Sequence, residues 1–354
     1  LYGGLGDDTL DGGLGFDLLD GAAGAGDLAT YQSMTGQLVL LLDQGLGGSS
    51  EAGFDLYRGV ERFLLGSGAD IVIGSTSSEN VDGGAGDDWI SLGAGDDTLD
   101  GGVGGNDILV GGDGSDLMTG GAGDQFYGGD GIDTVSFGGL TTGIAISVGA
   151  GWTAQGSGPG ANYGIIGGAE VVWTGTGDDS VYGFTGLRSL GLGAGNDLAV
   201  DYSNTNNDAY FGDAGNDALY GLGGNDLLDG GSGVDILVGD AGDDTIVGGD
   251  GFDWTAGGAG ADVFRYTAVS HSRASSGTDA ISDFARGADS IDLVFIDANT
   301  ALAGDQAFTI GALAAGQAGR LQITTPAGQS WTLVQADVDG DGAADLTVIV
   351  YGAT

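Results

Sequence analysis

Residues 230–253 read GGSGVDILVGDAGDDTIVGGDGFD, and this stretch repeats itself every nine residues. Cut at that interval it becomes GGSGVDILV, GDAGDDTIV and GGDGFD, in which Gly and Asp stay fixed while the letters between them vary. The shared pattern is G-G-x-G-x-D-x-U-x, where U is an apolar residue. A period of nine matches neither an α-helix nor a plain strand, so the pattern indicates a repeat architecture.

The repeat predicts a coil built from two units. The x-U-x triplet suits a very short strand with U facing inward, and the glycine-rich half suits a turn because Gly accepts positive φ. Two units, or about 18 residues, then form one coil, and successive units alternate between two stacked parallel sheets. The longest uninterrupted run has its sixth-position aspartates at Asp217, Asp226, Asp235, Asp244, Asp253 and Asp262. Alternation places Asp217, Asp235 and Asp253 along one edge and the other three along the opposite edge.

The composition is strongly acidic, so a stack of these repeats requires a positive counter-charge. The 354 residues include 51 acidic residues against 7 Lys and Arg, for a formal charge of −44, yet 41% of residues are hydrophobic. The chain can therefore bury a core if its carboxylates are neutralised. It has no basic stripe to meet phosphates, so we expect neither a nucleic-acid partner nor an anionic membrane surface. Divalent cations are the natural counter-charge.

Several classes of protein are disfavoured by what the sequence lacks. It contains no Cys, which excludes disulfides and cysteine-zinc sites, and its one His, His271, cannot form a two-histidine zinc motif. We expect His271 to lie in a surface loop, and we expect no catalytic residues, so the chain itself is predicted not to be an enzyme. No apolar run approaches the ~20 residues of a membrane span. The chain opens within the pattern, at Leu1-Tyr2-Gly3-Gly4, which we interpret as part of a longer protein whose N-terminal portion could be an enzyme.

Asp side chains stacked at the edges predict a series of cation sites. Bare carboxylates would repel one another, and Asp oxygens with loop carbonyls are the donors that Ca²⁺ prefers; Mg²⁺ demands a stricter geometry. The candidate ligands are Asp8, Asp17, Asp70, Asp88, Asp97, Asp107, Asp116, Asp133, Asp179, Asp197, Asp217, Asp226, Asp235, Asp244, Asp253 and Asp262.

These repeats resemble those of the RTX (repeats-in-toxin) proteins, whose parallel β-roll binds Ca²⁺. In that family the ion is held by the sixth-position Asp and by loop carbonyls of adjacent turns. The segments Ala261–Tyr266, Thr278–Phe284 and Asp289–Leu293 also resemble the serralysin-type C-terminal domain, which caps the roll. The resemblance implies an all-β fold: a right-handed parallel β-roll with β spacer segments and a β-sandwich-like cap.

The repeats fall into blocks separated by spacers. We predict roll blocks at residues 1–27, 65–136 and 174–265, β spacers at 28–64 and 137–173, and a cap with the secretion-signal region at 266–354. The unit at Gly104-Gly105 carries one extra residue, and the unit at residues 120–125 is one short. We interpret the spacers as wider β-strands that continue the same stack. The third block is interrupted near residues 204–208.

A second kind of acidic motif stands near the C-terminus. Asp337, Asp339, Asp341 and Asp345 have the spacing of the front half of an EF-hand loop, but Val348 stands where the bidentate Glu would be. The motif is either an isolated Ca²⁺ loop or a polar turn before a strand.

The functional expectations follow from the resemblance. The first is a calcium-binding module of a secreted Gram-negative protein, which folds on extracellular Ca²⁺ and supports type I secretion of a longer polypeptide. The second is a structural segment of a cell-surface layer, adhesin or matrix protein. The third, a module that binds surface polysaccharide, rests on aromatic residues between Trp152 and Tyr220.

Overall fold

A computed structural model describes residues 1–49, 53–121, 123–148, 162–183, 186–200, 206–273, 277–300, 302 and 304–352. The chain divides into two compact units, Leu1–Gly175 and Thr176–Thr354. Nearly all of the regular structure is β. Among the described residues the helical segments are two 3₁₀ turns, Leu42–Gln44 and Val269–His271, and no helix is long and apolar enough to cross a membrane.

The first unit is a succession of short strands. They are β1 (Tyr2–Leu5), β2 (Thr9–Leu10), β3 (Leu18–Ala23), β4 (Leu28–Thr30), β5 (Val39–Leu41), β6 (Leu46–Ser49), β7 (Gly53–Arg58), β8 (Arg62–Leu64), β9 (Ile71–Ile73), β10 (Asn80–Asp82), β11 (Trp89–Ala94), β12 (Thr98–Asp100), β13 (Ile108–Asp113), β14 (Leu117–Thr119), β15 (Gln125–Asp130), β16 (Thr134–Ser136), β17 (Ile144–Val148), β18 (Asn162–Gly167) and β19 (Val171–Trp173).

The second unit continues in the same style and ends in longer strands. They are β20 (Ser180–Tyr182), β21 (Ser189–Gly191), β22 (Leu198–Val200), β23 (Ala209–Phe211), β24 (Ala218–Tyr220), β25 (Leu227–Gly233), β26 (Ile236–Ala241), β27 (Thr245–Gly251), β28 (Trp254–Ala259), β29 (Val263–Arg265), β30 (Ala280–Ile281), β31 (Ser290–Asp292), β32 (Thr309–Ile310), β33 (Arg320–Thr324), β34 (Trp331–Asp337) and β35 (Leu346–Tyr351).

Pairing between strands confirms the predicted parallel solenoid. β24, β26 and β28 pair in parallel, with Leu219 beside Leu237 and Leu237 beside Thr255. β25, β27 and β29 form the facing sheet in the same way. Each partner lies one coil away in sequence, so consecutive repeats belong to alternate sheets.

The core is a stack of single apolar side chains. In most roll strands the central residue of the x-U-x triplet is buried between two half-buried neighbours. Leu219, Leu228 and Leu237 have no exposed surface. Because each coil contributes only a few such side chains, no coil buries enough apolar surface to be stable without its neighbours.

Irregular repeats change the coil length without breaking the register. Aspartates that are hydrogen-bonded between adjacent coils are usually 18 residues apart. The extra residue at Gly104-Gly105 makes this separation 19 between Asp88 and Asp107, and the short unit that follows makes it 17 between Asp107 and Asp124. Strand pairing stays in phase, with Leu109 beside both Ile90 and Phe126. The predicted interruption near residues 204–208 lies partly outside the described residues, and it corresponds to a 20-residue step between Asp197 and Asp217.

The first spacer extends the roll and adds one reversed strand. β7 pairs in parallel with β3, and β5 pairs in parallel with β9, so both lie on the roll sheet as predicted. β6 runs antiparallel to β5 and to β7, which the sequence did not predict. In the second spacer β17 and β18 pair in parallel, and β18 lies beside β15.

The cap begins with one more coil of the roll. β30 pairs in parallel with β28, and β31 pairs in parallel with β29, beyond residue 265 where the nonapeptide register ends. β33, β34 and β35 then form an antiparallel meander, and β35 also pairs with β30. The longer strands of this meander cover the sheet edge that the last coil would otherwise expose.

The stacked core leads to a prediction for two adjacent residues of β26. Leu237→Ala is expected to lower the free energy of unfolding by about 2–5 kcal/mol, because a fully buried Leu leaves a cavity. The neighbouring Ile236→Ala, at a side chain that is 43% exposed, should cost far less. Urea titrations of the Ca²⁺-saturated variants measure both values, and equal costs would contradict the inward assignment of U.

Candidate metal centre

The sixth-position aspartates of successive coils are linked to one another by hydrogen bonds, and we call each such series a ladder. The backbone N–H of Asp217 donates to Oδ1 of Asp235 at 2.8 Å, and the N–H of Asp235 donates to Oδ1 of Asp253 at 3.0 Å. The two residues of each bond are 18 apart in sequence. One carboxylate oxygen of each Asp is therefore used by the backbone of the preceding coil, which fixes where the second oxygen lies.

Alternate repeats form two such ladders, as the sequence predicts. On the other edge of the same run Asp226 donates to Asp244, and Asp244 donates to Asp262, at 2.8 and 3.0 Å. All of the candidate repeat aspartates take part, and in the described residues their backbone N–H groups donate to the next carboxylate of the ladder. The remaining ones are Asp8, Asp17, Asp70, Asp88, Asp97, Asp107, Asp116, Asp133, Asp179 and Asp197.

The second carboxylate oxygen of many ladder aspartates is buried and has no hydrogen-bond partner among the described residues. An unpaired buried polar atom costs free energy, and a buried charge costs more. A repeated arrangement of such atoms therefore points to a ligand that completes them. The Oδ2 atoms in this state include those of Asp8, Asp27, Asp70, Asp88, Asp97, Asp107, Asp116, Asp133, Asp197, Asp217, Asp235, Asp244, Asp253 and Asp262.

At several ladder steps the Oδ2 atom shares a small space with a carbonyl oxygen of the next coil. A Cβ placed on Gly83 would lie 2.6 Å from Asp88 Oδ2 and 2.9 Å from the Gly101 carbonyl oxygen. A Cβ on Gly230 would meet Asp235 Oδ2 at 2.5 Å and the Gly248 carbonyl at 2.6 Å. Oxygen atoms that converge on one space fit a hard cation such as Ca²⁺.

This geometry corrects part of the explanation for the glycines. The sequence suggested that Gly is needed for positive φ, and Gly231 and Gly233 do have φ values of 93° and 146°. Gly230, the first Gly of the repeat, is not among the positive-φ residues. At this step Gly leaves open the space between the carboxylate and the carbonyl, which a Cβ at Gly230 would enter.

Burial raises the pKa of several ladder carboxyls. The pKa rises to about 7 at Asp88, Asp107, Asp197, Asp217 and Asp253. Loss of solvent is the largest cause, backbone N–H donors lower the pKa in part, and the neighbouring ladder carboxylates raise it further. Without a cation these groups would hold protons near neutral pH.

Sequence reasoning missed several members of the ladders. Asp279 accepts from the N–H of Asp253, and Asp289 accepts from Asp262, both at 3.1 Å and across 26 and 27 residues. They lie outside the nonapeptide register, and of its glycine pattern each keeps only a G-x-D, beginning at Gly277 or Gly287. A shorter signal remains, namely an acid followed two residues later by an apolar or aromatic strand residue. The same acid-x-apolar signal marks Asp27, Asp55, Glu61, Glu79, Asp124, Glu170 and Asp208.

The C-terminal acidic motif is only partly assembled. Oxygens of Asp337, Asp339 and Asp345 lie within 4.8 Å of one another, but Asp341 is not in the group. Both oxygens of Asp337 accept backbone hydrogen bonds, from Gly340 at 2.6 Å and Gly342 at 2.9 Å. Those bonds also suit a polar turn, so both interpretations of the loop remain predictions.

The aromatic residues do not form one exposed row within the described residues. Tyr210 is fully buried, whereas Trp173 is 43% exposed. Trp152 and Tyr202, which the polysaccharide hypothesis includes, lie outside the described residues.

Comparison with known proteins gives two family matches. Residues 207–354 match the "Peptidase M10 serralysin C terminal" family. The "RTX calcium-binding nonapeptide repeat" family matches in 4 copies, at residues 1–27, 73–105, 102–135 and 166–199. The nonapeptide repeats are thus calcium-binding repeats by family. No curated protein matches the chain.

Among solved structures, 28 chains match. One is the solution structure of the AlgE6R3 subunit from the Azotobacter vinelandii mannuronan C5-epimerase. It is 27% identical over 39% of this chain and 71% of that chain, with a TM-score of 0.30.

The raised pKa values predict opposite pH responses with and without calcium. A carboxyl whose pKa is raised by folding stabilises the metal-free roll below its unfolded pKa of about 4, and this stability is lost as pH rises through the folded value of about 7. In chelator, the β signal in circular dichroism should therefore be greater near pH ~4.5 than near pH ~7.5. With Ca²⁺ the higher pH should be favoured, since protons compete for the same oxygens. Equal signals at both pH values in chelator would contradict the burial of uncompensated carboxylates.

Proposed function

Because the chain is a secreted bacterial RTX protein with calcium-binding nonapeptide repeats and a serralysin-type C-terminal domain, we propose that it is a module that folds on extracellular Ca²⁺ and supports type I secretion of a longer polypeptide. The observation that carries the proposal is the repeated buried Oδ2 atom without a partner. It makes the folded roll unfavourable unless a cation completes each site.

The ladder couples cation binding to folding. An Asp such as Asp235 meets the Gly248 carbonyl only when its coil is stacked on the next one, because the two residues come from different coils. The unfolded chain therefore has no preformed site, and the free energy of binding becomes free energy of folding. Bound Ca²⁺ supplies the positive charge that lets the stacked carboxylates lie close together.

Charge supports the unfolded state at low Ca²⁺. The formal charge of −44 is opposed by only 7 Lys and Arg, so self-repulsion favours expansion of the chain. Cytosolic Ca²⁺ is low, and sites of the extracellular class bind at ~10⁻⁴–10⁻³ M. The chain would then stay unfolded before export and fold outside.

The proposal predicts a cooperative transition. Circular dichroism at neutral pH, starting in chelator, should show a gain of β signal between ~0.1 and several mM Ca²⁺. Mg²⁺ should not reproduce it, because Mg²⁺ requires a stricter octahedral geometry. A chain that is already folded in chelator would contradict folding on Ca²⁺ and would favour the alternative of a structural segment of a surface layer.

A matched pair of variants extends this titration. Asp235→Ala removes a ladder acceptor and a candidate cation ligand. It should lower the free energy of folding gained in Ca²⁺ by about 1–3 kcal/mol and so move the midpoint of the titration to higher Ca²⁺. Asp250→Ala removes the same charge at an exposed position in β27 and should leave the midpoint nearly unchanged. Equal shifts would mean that only net charge matters.

Export depends on the C-terminal region in this proposal. It is supported by the serralysin-type match over residues 207–354. In cells that carry a type I exporter, the whole chain should reach the medium, and a chain that ends before residue 266 should stay inside. Immunoblots of medium and cells measure the fraction of each chain that is exported. Equal export of the two chains would contradict this part of the proposal.

A further inference from the structure

The ladder ends in a glutamate at two places in the first unit. The N–H of Asp27 donates to Glu61 Oε2 at 3.1 Å, and the N–H of Asp133 donates to Glu170 Oε2 at 2.9 Å. Each bond joins the last Asp of a roll block to a spacer, across 34 and 37 residues instead of the usual 18. We name these the first junction (Asp27, Gly59, Glu61) and the second junction (Asp133, Gly168, Glu170).

Both junctions have the same backbone clamp. The carbonyl of Asp27 accepts from the N–H groups of Glu61 and Arg62, at 3.2 and 3.0 Å. The carbonyl of Asp133 accepts from Glu170 and Val171, at 3.1 and 3.0 Å. Two separate segments of chain therefore return to the roll in one geometry.

The turn before each glutamate also matches. Gly59 and Gly168 both have positive φ, at 56° and 71°, and each lies two residues before its glutamate. The G-x-E turn thus takes the place of the longer G-G-x-G-x-D half of a repeat.

An unpartnered oxygen faces a carbonyl at each junction. Asp27 is 1% exposed and Asp133 is fully buried, and neither Oδ2 atom has a hydrogen-bond partner among the described residues. A Cβ on Gly21 would lie 2.5 Å from Asp27 Oδ2 and would collide with the Gly59 carbonyl oxygen. A Cβ on Gly128 would likewise collide with Asp133 Oδ2 and with the carbonyl of Gly168. The two oxygens converge on one space, as they do in the repeats.

We propose that each junction binds a divalent cation between the Asp Oδ2 atom and the spacer glycine carbonyl, with the glutamate beside it. These are hybrid sites, because half of each lies in a spacer that has no nonapeptide pattern. The cation fastens the returning strand, β8 or β19, onto the roll. The identity of the ion as Ca²⁺ rests on the proposed function, whereas the position of the sites does not.

The length of the spacers explains why such a fastening matters. Closing a longer loop costs more conformational entropy than closing one coil, and the cost grows with loop length. A cation at the point of return offsets that cost where it is greatest. We therefore expect bound cation to strengthen the docking of the spacers on the roll.

Native mass spectrometry of the whole chain in Ca²⁺ tests the sites by counting bound ions. Asp27→Asn and Asp133→Asn should each bind at least one Ca²⁺ fewer than the unsubstituted chain, and the double variant at least two fewer. Asn keeps an oxygen for the ladder hydrogen bond and places an N–H toward the glycine carbonyl, so the fold is retained. Asp43→Asn and Asp130→Asn are the controls, since each removes the same charge at an exposed position near a junction and should leave the count unchanged.

A second measurement needs no substitution. Hydrogen exchange of residues 61–64 should slow when Ca²⁺ is added to the unsubstituted chain, and it should respond less in Asp27→Asn. An unchanged ion count in both Asn variants would overturn the junction sites. Calcium-independent exchange at residues 61–64, in a roll that responds to Ca²⁺, would overturn them as well. If the unsubstituted chain binds no Ca²⁺ at all, the proposed function fails, which is a separate result.

Discussion

The hydrogen bond from one ladder Asp N–H to the next ladder carboxylate determines the rest of the roll. It uses one oxygen of each ladder carboxylate and, at steps such as Asp235, leaves the other turned toward the glycine carbonyl of the adjacent coil. Coil spacing follows from that placement, and at steps such as Gly230 so does the space that a glycine leaves open. A change of coil length is tolerated only if the ladder bond survives, as the 17-, 19- and 20-residue steps show.

Sequence periodicity predicted the parts of the fold that repeat. The nine-residue pattern gave the parallel coils, their two edges and the inward position of residues such as Leu219 and Leu237, because each follows from local geometry. It did not predict the reversed strand β6 or the extra coil at β30 and β31. Those elements depend on pairing between distant segments, and no spacing in the sequence records which strand a returning chain will meet.

The candidate site was predictable to a similar extent. The repeat aspartates were found because Gly marks the turn before them, and each lies in a ladder. Asp279 and Asp289 were missed because their loops are longer and keep only the last Gly of the repeat, Gly277 or Gly287, two residues before the acid. They also keep the acid two residues before an apolar strand residue, Ile281 or Ile291. The ladder therefore accepts turns of different lengths before the acid, and the full G-G-x-G-x-D turn is one of several.

Asp55 shows what a ladder carboxylate looks like when its second oxygen is completed by protein. Its Oδ1 accepts from the N–H of Asp17 at 3.0 Å, as in any ladder step. Its Oδ2 accepts from the Tyr31 hydroxyl at 2.7 Å, and that hydroxyl is also 2.6 Å from the Tyr57 hydroxyl. Here a hydrogen bond stands where the repeats have an unpartnered oxygen, so this step needs no cation. The fold thus contains both solutions, and the open one along the repeats is the reason for our proposal that the stability of the roll depends on dissolved calcium.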